Sequence, residues 1–178
     1  MSVTRTQKVL VPLATLLVAG AIAVGSGATF SSTTGNTISA VTSGSLEHTN
    51  SKNGAAIFNL TNVKPGDTLN GTLTIKNTGS LPAAFGLTET TSSNAFGDGL
   101  LKLVVTNVTT GAQVYSGNFG GLVDGAKTSL GEIAPAATNE FRFTVTLDQD
   151  ATNTEQGKTA SAVYAWDSVQ LAGTTTNQ

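Results

Sequence analysis

After residue 36 the chain reads as short runs of alternating apolar and polar residues, each closed by a turn signal. In "TLNGTLTIKN" Leu69, Leu73 and Ile75 fall on one face, and Thr72, Thr74 and Lys76 fall on the other. That period of two predicts a half-buried strand. "EFRFTVTLD" repeats the pattern, with Phe141, Phe143, Val145 and Leu147 inward and Arg142, Thr144 and Thr146 outward. Further strands are predicted over 55–63, 83–90, 100–108 and 159–171, and a strand-like stretch begins near Ser43. Between them lie "KPGD" (64–67), "NTGS" (77–80), "TTGA" (109–112) and "APAAT" (134–138), which carry the residues that turns require. "QDATNTEQGK" (149–158) reads as a loop or a single helical turn, and no segment after residue 28 keeps a helical period over ten residues. Seven or eight short strands with regular turns predict an all-β fold, an antiparallel two-sheet sandwich of jelly-roll or immunoglobulin-like type.

The N-terminus follows a different pattern. Arg5 and Lys8 precede the apolar run Val9 to Val24, and "SGA" (Ser26 to Ala28) then places small residues before a cleavage point between Ala28 and Thr29. The alternative is an uncleaved anchor, but the run falls short of the ~20 residues that span a bilayer and contains Pro12. The expected organisation is a signal-peptide helix over 1–28, cleaved by a signal peptidase, and one domain after it. Membrane contact is then expected only before cleavage. Cleavage removes Arg5 and Lys8, so the mature chain is acidic and secreted.

Composition narrows the function. Charged residues make up 11% of the 178 residues, against about a quarter in ordinary soluble domains. Net charge is −2 with no basic cluster, which argues against nucleic acid as a partner. With no cysteine, disulfides and thiolate chemistry are excluded. The single histidine, His48, allows neither a His-x-x-x-His zinc site nor a shared metal, and no Gly-x-Ser-x-Gly nucleophile elbow is present. His48 is read as a solvated strand residue. Asp148 and Asp150, with Glu155 nearby, have the oxygen ligands for a hard cation, although a solvated acidic loop explains them more simply. Asp67 is read as a turn residue, and Ala162, Tyr164 and Trp166 as a core face of the last strand, with an aromatic contact to a partner as the alternative. Asn59, Asn70 and Asn107 begin glycosylation sequons. No catalytic, cofactor or metal residue is assigned, and the residues alone point to an adhesion, matrix or surface-structure module rather than an enzyme.

The order of short motifs adds a resemblance. "GSGATFSS" (25–32) is followed by "TSGSLE" (42–47), by "IFNLTNVKPGDTLNGTLTIKNTGSLPAAFGL" (57–87), and by "FRFTVTLDQDATNTEQGKTASAVYAWDSVQ" (141–170). In this order the series resembles the TasA/camelysin family of secreted proteins with SipW-type signal peptides, and the likeness covers nearly the whole chain. The family's longer members carry insertions between the middle strands that this chain lacks. The resemblance implies a jelly-roll domain over 43–171, a flexible tail over 172–178 and an N-terminal donor strand over 29–42, with Phe30, Ile38 and Ala40 as its anchors. It further implies an extracellular filament of biofilm matrix or bundling-pilus type, on the cell surface or in the matrix. Its partner is a second copy joined head to tail, with other matrix or pilus proteins beside it. Two other roles travel with the family: a camelysin-like metalloprotease, for which this chain lacks a zinc motif, and a minor component that anchors fibres.

Overall fold

The computed structural model describes residues 30–32, 39–41, 43–58 and 63–175. Ten strands follow one another along them: β1 (Phe30–Ser32), β2 (Ser39–Val41), β3 (His48–Asn50), β4 (Thr68–Asn77), β5 (Ala83–Asn94), β6 (Leu101–Asn107), β7 (Gln113–Asn118), β8 (Lys127–Ile133), β9 (Thr138–Leu147) and β10 (Ala160–Gln170). A single 3-10 turn, Asn153–Glu155, interrupts the loop before β10. Apart from the β1–β2 hairpin, the strands form two antiparallel sheets, one of five in the order β3-β4-β9-β6-β7 and one of three in the order β10-β5-β8. The all-β, two-sheet expectation holds. The expected signal peptide and its cleavage site at Ala28 and Thr29 lie outside the described residues, as do Ile38 and the last three residues of the tail.

The core follows from the alternation. Leu73 and Ile75 of β4, Leu103 and Val105 of β6, and Phe141, Phe143, Val145 and Leu147 of β9 are all buried. They meet Ala83, Phe85 and Leu87 of β5 and Leu130 and Ile133 of β8. Asp67 has its expected role, with its carboxylate accepting from the Lys64 N–H at 2.9 Å to close the turn over Gly66 (φ +88°).

Three expectations need correction. Of the strand expected over 55–63, residues 59–62 lie outside the described residues, and residues 55–58 form bends and coil. Their apolar residues are explained by packing: Phe58 stacks edge-on against Phe119 at 6.2 Å. A Cβ at Gly71 would lie 2.7 Å from the Ile57 carbonyl oxygen, so the segment crosses β4 at the one inward position with no side chain. The strand expected from Ser43 begins only at His48. Residues 45–47 instead bond the 78–80 turn, whose Thr78 and Gly79 N–H groups both donate to the Glu47 carbonyl at 3.0 Å.

The third correction concerns His48, which is half-buried rather than solvated. Its Nδ1 lies 3.0 Å from the Ser168 hydroxyl of β10, and its ring stands edge-on to Phe85 of β5 at 5.6 Å. It therefore joins the two sheets at one corner. Replacing it with alanine removes one hydrogen bond and a ring contact, so His48→Ala should cost about 1 kcal/mol in urea denaturation.

Candidate functional site

Both sheets end in edge strands, and these differ in how well they are protected. β3 has 3 residues, β7 has 6, and β8 has 7 with a bulge opposite Phe85 and Gly86. β10 has 11 residues, pairs among the described residues only with β5, with one register shift between Val163 and Tyr164 where the extra residue lies in β5, and contains neither proline nor lysine. Native edges are usually blunted by shortness, bulges, proline or lysine, and an unblunted one is a template for another strand. Asp167 is the only charged residue of β10. It points to the outer face, where it is paired with Lys127 of β8 across Gly86.

Side-chain burial points to the same edge. The inward residues of β5 (Ala83, Phe85, Leu87, Glu89) are all buried. The corresponding inward residues of β10 (Ala160, Ala162, Tyr164, Trp166, Ser168) are each only partly covered. Trp166 leans on Phe141 at 5.3 Å, and Tyr164 on Phe143 at 5.2 Å. On the outer face Val163 and Val169 are 55% and 51% exposed. The free edge of β10 and one layer of half-covered aromatics thus face the side where a fourth strand of the smaller sheet would lie. Among the described residues no strand occupies it.

The expected donor-strand residues lie elsewhere. Phe30 is in β1 and Ala40 in β2, and the two strands pair antiparallel with Phe30 opposite Val41 and Ala40 opposite Ser31. This hairpin joins neither main sheet. A two-stranded hairpin by itself is at best marginally stable in water.

The acidic positions considered for a cation are engaged within the protein. Asp148 accepts from Lys102 Nζ at 2.5 Å and from the Asp150 N–H at 3.1 Å. Glu155 accepts from the Gly97 N–H at 2.9 Å and pairs with Lys158 at 3.0 Å. The Lys102 bond first, then the Asp150 N–H, hold the Asp148 carboxyl below its ordinary range, while the Gly97 N–H and Lys158 do the same for Glu155. Among the described residues no group of three or more metal-ligating side chains converges. Ser168 and His48 share a hydrogen bond, yet among the described residues no carboxylate is bonded to the imidazole, so the orienting third member of a hydrolytic triad is not in place. The recess beside His48, lined by Thr49, Asn50 and Asn53, holds about 250 Å³, below the ~300 Å³ at which small-molecule sites begin. Of the sequons, Asn70 is exposed and bonded to Thr144, whereas Asn107 is buried with its oxygen accepting from Thr110 N–H.

Sequence reasoning placed Tyr164 and Trp166 on an inward face but missed that this face is half open. Alternation tells which residues share a face. Which strand lies at a sheet edge depends on long-range pairing. The residue it missed altogether is Glu89, buried in a run read only as strand. An acid at an inward position of "AAFGLTET" was the available signal. No protein-family model matches the chain, and a search of curated proteins finds no match.

Proposed function

We propose that this protein is the secreted subunit of an extracellular filament, built by strand addition between copies. After signal peptidase cuts between Ala28 and Thr29, residues 29–42 of one copy pair with the free edge of β10 in the next. Phe30, Ile38 and Ala40 settle against the half-covered layer of Tyr164 and Trp166. The added strand makes the smaller sheet four-stranded and completes a jelly-roll sandwich. The observation that carries this reading is the unprotected 11-residue edge of β10 with its partly exposed inward face.

The physics is that of main-chain recognition. Backbone hydrogen bonds supply affinity, and pockets for alternate side chains supply register. At about 3.3 Å per residue, β10 offers an edge of roughly 36 Å, which residues 29–42 can follow in extended form. Freeing them means giving up only the short β1–β2 hairpin, whose 3-residue strands contribute little. Donor and acceptor are different surfaces, so the contact is head to tail and does not close on itself. It propagates as a filament on the cell surface or in the matrix around it, where other matrix or pilus proteins can join it.

The test removes the donor. Mature protein lacking residues 29–40 should keep its β-sheet circular dichroism and elute as a monomer, while the intact mature chain forms filaments under negative-stain electron microscopy. A synthetic peptide of residues 29–42 should bind the truncated protein and protect β10 amides from hydrogen exchange. Normal filaments from the truncated chain would sink the proposal.

A further inference from the structure

Glu89 is fully buried, and neither of its carboxyl oxygens has a hydrogen-bond partner. The hydroxyl of Tyr164, directly opposite it on β10, is buried and unpartnered as well. Such groups are few in a folded protein, and each needs an explanation. A carboxylate sealed in this way is strongly disfavoured, because burial removes its hydration and nothing replaces it.

The position arises from a register shift. At Thr90 β5 has one residue more than β10, so Tyr164 faces Glu89 whereas Val163 faces Thr91. The bulge brings Glu89 and Ser92 to the same inner side. The Ser92 hydroxyl donates to the Gly120 carbonyl at 3.3 Å, so its proton is in use and its lone pairs are free. From β7, Tyr115 also faces this corner, but its hydroxyl donates to the Asn118 carbonyl at 2.8 Å. It is held there between Gly117 and Gly121, where a Cβ would lie 2.6 and 2.4 Å from the oxygen. The loop between β7 and β8 brings Asp124, another negative charge. Lys127 of β8 lies beside Thr88, yet its ammonium is engaged by Asp167 on the outer face. Among the described residues no cation pairs with Glu89.

We propose that Glu89 is a proton-operated latch that ties β10 and the 119–126 loop to β5. As a neutral acid it donates its O–H to Ser92 Oγ and accepts the Tyr164 O–H on its other oxygen. One proton thereby satisfies all three orphaned atoms in a relay from Tyr164 through Glu89 and Ser92 to the Gly120 carbonyl. As a carboxylate it would have to take the Ser92 proton from Gly120, and it would remain a buried charge near Asp124. Hydration is then gained by opening the weakest cover, which is the Ala160–Tyr164 end of an edge strand and a loop containing Gly120, Gly121 and Gly125. The Gly125 N–H, which donates to the Glu89 carbonyl at 2.8 Å, ties that loop to the same residue.

The electrostatics agree in sign. Burial first, and Asp124 after it, raise the Glu89 carboxyl above its ordinary value of 4.5, outweighing the Ser92 and Tyr164 hydroxyls that draw it down. Burial, then the charge of Glu89, raise the Tyr164 phenol, which therefore stays a donor. A carboxyl raised on folding stabilises the protein fully below 4.5, and that stability is lost as pH rises through the folded-state value. Asp148 and Glu155, held low, act in the opposite direction in acid, so the latch is read as a difference between variants.

The experiment compares the unmodified chain with Glu89→Gln and Tyr164→Phe in thermal melts from acid to alkaline pH, with amide exchange of 160–164 followed in parallel. The unmodified protein should lose several degrees of Tm relative to Glu89→Gln as pH rises. Exchange at 160–164, corrected for intrinsic rates, should accelerate tenfold or more in the unmodified protein but not in Glu89→Gln, and Tyr164→Phe, which loses a hydroxyl that draws the Glu89 carboxyl down, should show an undiminished or larger pH effect. Parallel curves for the unmodified protein and Glu89→Gln would overturn the proposal. Should Glu89→Gln fail to fold, infrared spectroscopy of the unmodified protein decides. A carboxylic-acid C=O band must persist above the ordinary glutamate value of 4.5, after the exposed carboxyls have ionised, and disappear together with the protection of 160–164, and its absence overturns the latch.

Discussion

Phe143→Ala is expected to destabilise the domain by about 3–5 kcal/mol. That is a large share of the roughly 5–15 kcal/mol that a domain possesses in total. Phe143 is fully buried in β9, the middle strand of the larger sheet, and it touches both aromatic residues of β10. Its ring centroid lies 5.2 Å from Tyr164 and 6.3 Å from Trp166. Neither aromatic can drop into the vacated volume without leaving its place beside β5, so the cavity would persist rather than collapse. In a thermal melt Tm should fall by roughly 6–20 °C, at about 2–4 °C per kcal/mol for a chain of this size. Phe143→Leu, which keeps most of the volume, should lose less than half as much. The pair also bears on the proposed acceptor edge. If Tyr164 and Trp166 are its floor, Phe143→Leu should weaken binding of the 29–42 peptide more than it lowers Tm. Equal losses for leucine and alanine would mean that the ring itself, rather than its volume, holds the layer.

The three middle strands of the larger sheet were legible because they obey one rule. In β4, β6 and β9 large apolar inward residues alternate with polar outward ones, Gly71 and Val104 excepted, and β4 runs over the residues that alternation marks out. β7 and β8 were missed because the rule fails in them. An extra residue, Val114, breaks the period of β7, and Leu130 with Gly131 (φ +85°) breaks that of β8. The segment at 55–58 misled for the opposite reason, since its apolar residues serve a crossing over Gly71 and not a pleat. What could not be read was the arrangement of edges. That β10 has one neighbour, and that Glu89 lies sealed beside a bulge, both depend on pairings between residues more than 70 positions apart. A separation of 56 positions from Ile133 hides the role of Asn77 in the same way.

Asn77→Asp should destabilise the protein more than Asn77→Ala, although aspartate is the closer match in shape. "NTGS" reads as turn chemistry, but Asn77 is the last inward residue of β4 and is fully buried. Its amide nitrogen donates to the Leu81 carbonyl at 2.8 Å and to the Ile133 carbonyl at 2.9 Å. Its amide oxygen accepts from the Gly79 N–H at 3.0 Å, and its main chain bonds Ala136 and Ala137. One side chain thus joins the end of β4, the turn into β5 and the end of β8. Alanine leaves two carbonyls without donors, while Gly79 keeps its second partner at Glu47. At about 1–3 kcal/mol for each orphaned group, Asn77→Ala should cost roughly 2–4 kcal/mol. Aspartate keeps the bond to Gly79 but sets a buried anionic oxygen against the same two carbonyls, which adds repulsion and desolvation to the loss. The difference should depend on pH. A carboxyl there would have its folded-state pKa raised by burial and by the two carbonyl dipoles, so the extra penalty exists above the ordinary value of about 3.9 and lifts as the group protonates. Urea titrations at neutral pH and near pH 4 should place Asp below Ala in the first case and bring them together in the second. Aspartate no worse than alanine at neutral pH would show that the two carbonyls find water instead, and that this corner of the sandwich is open.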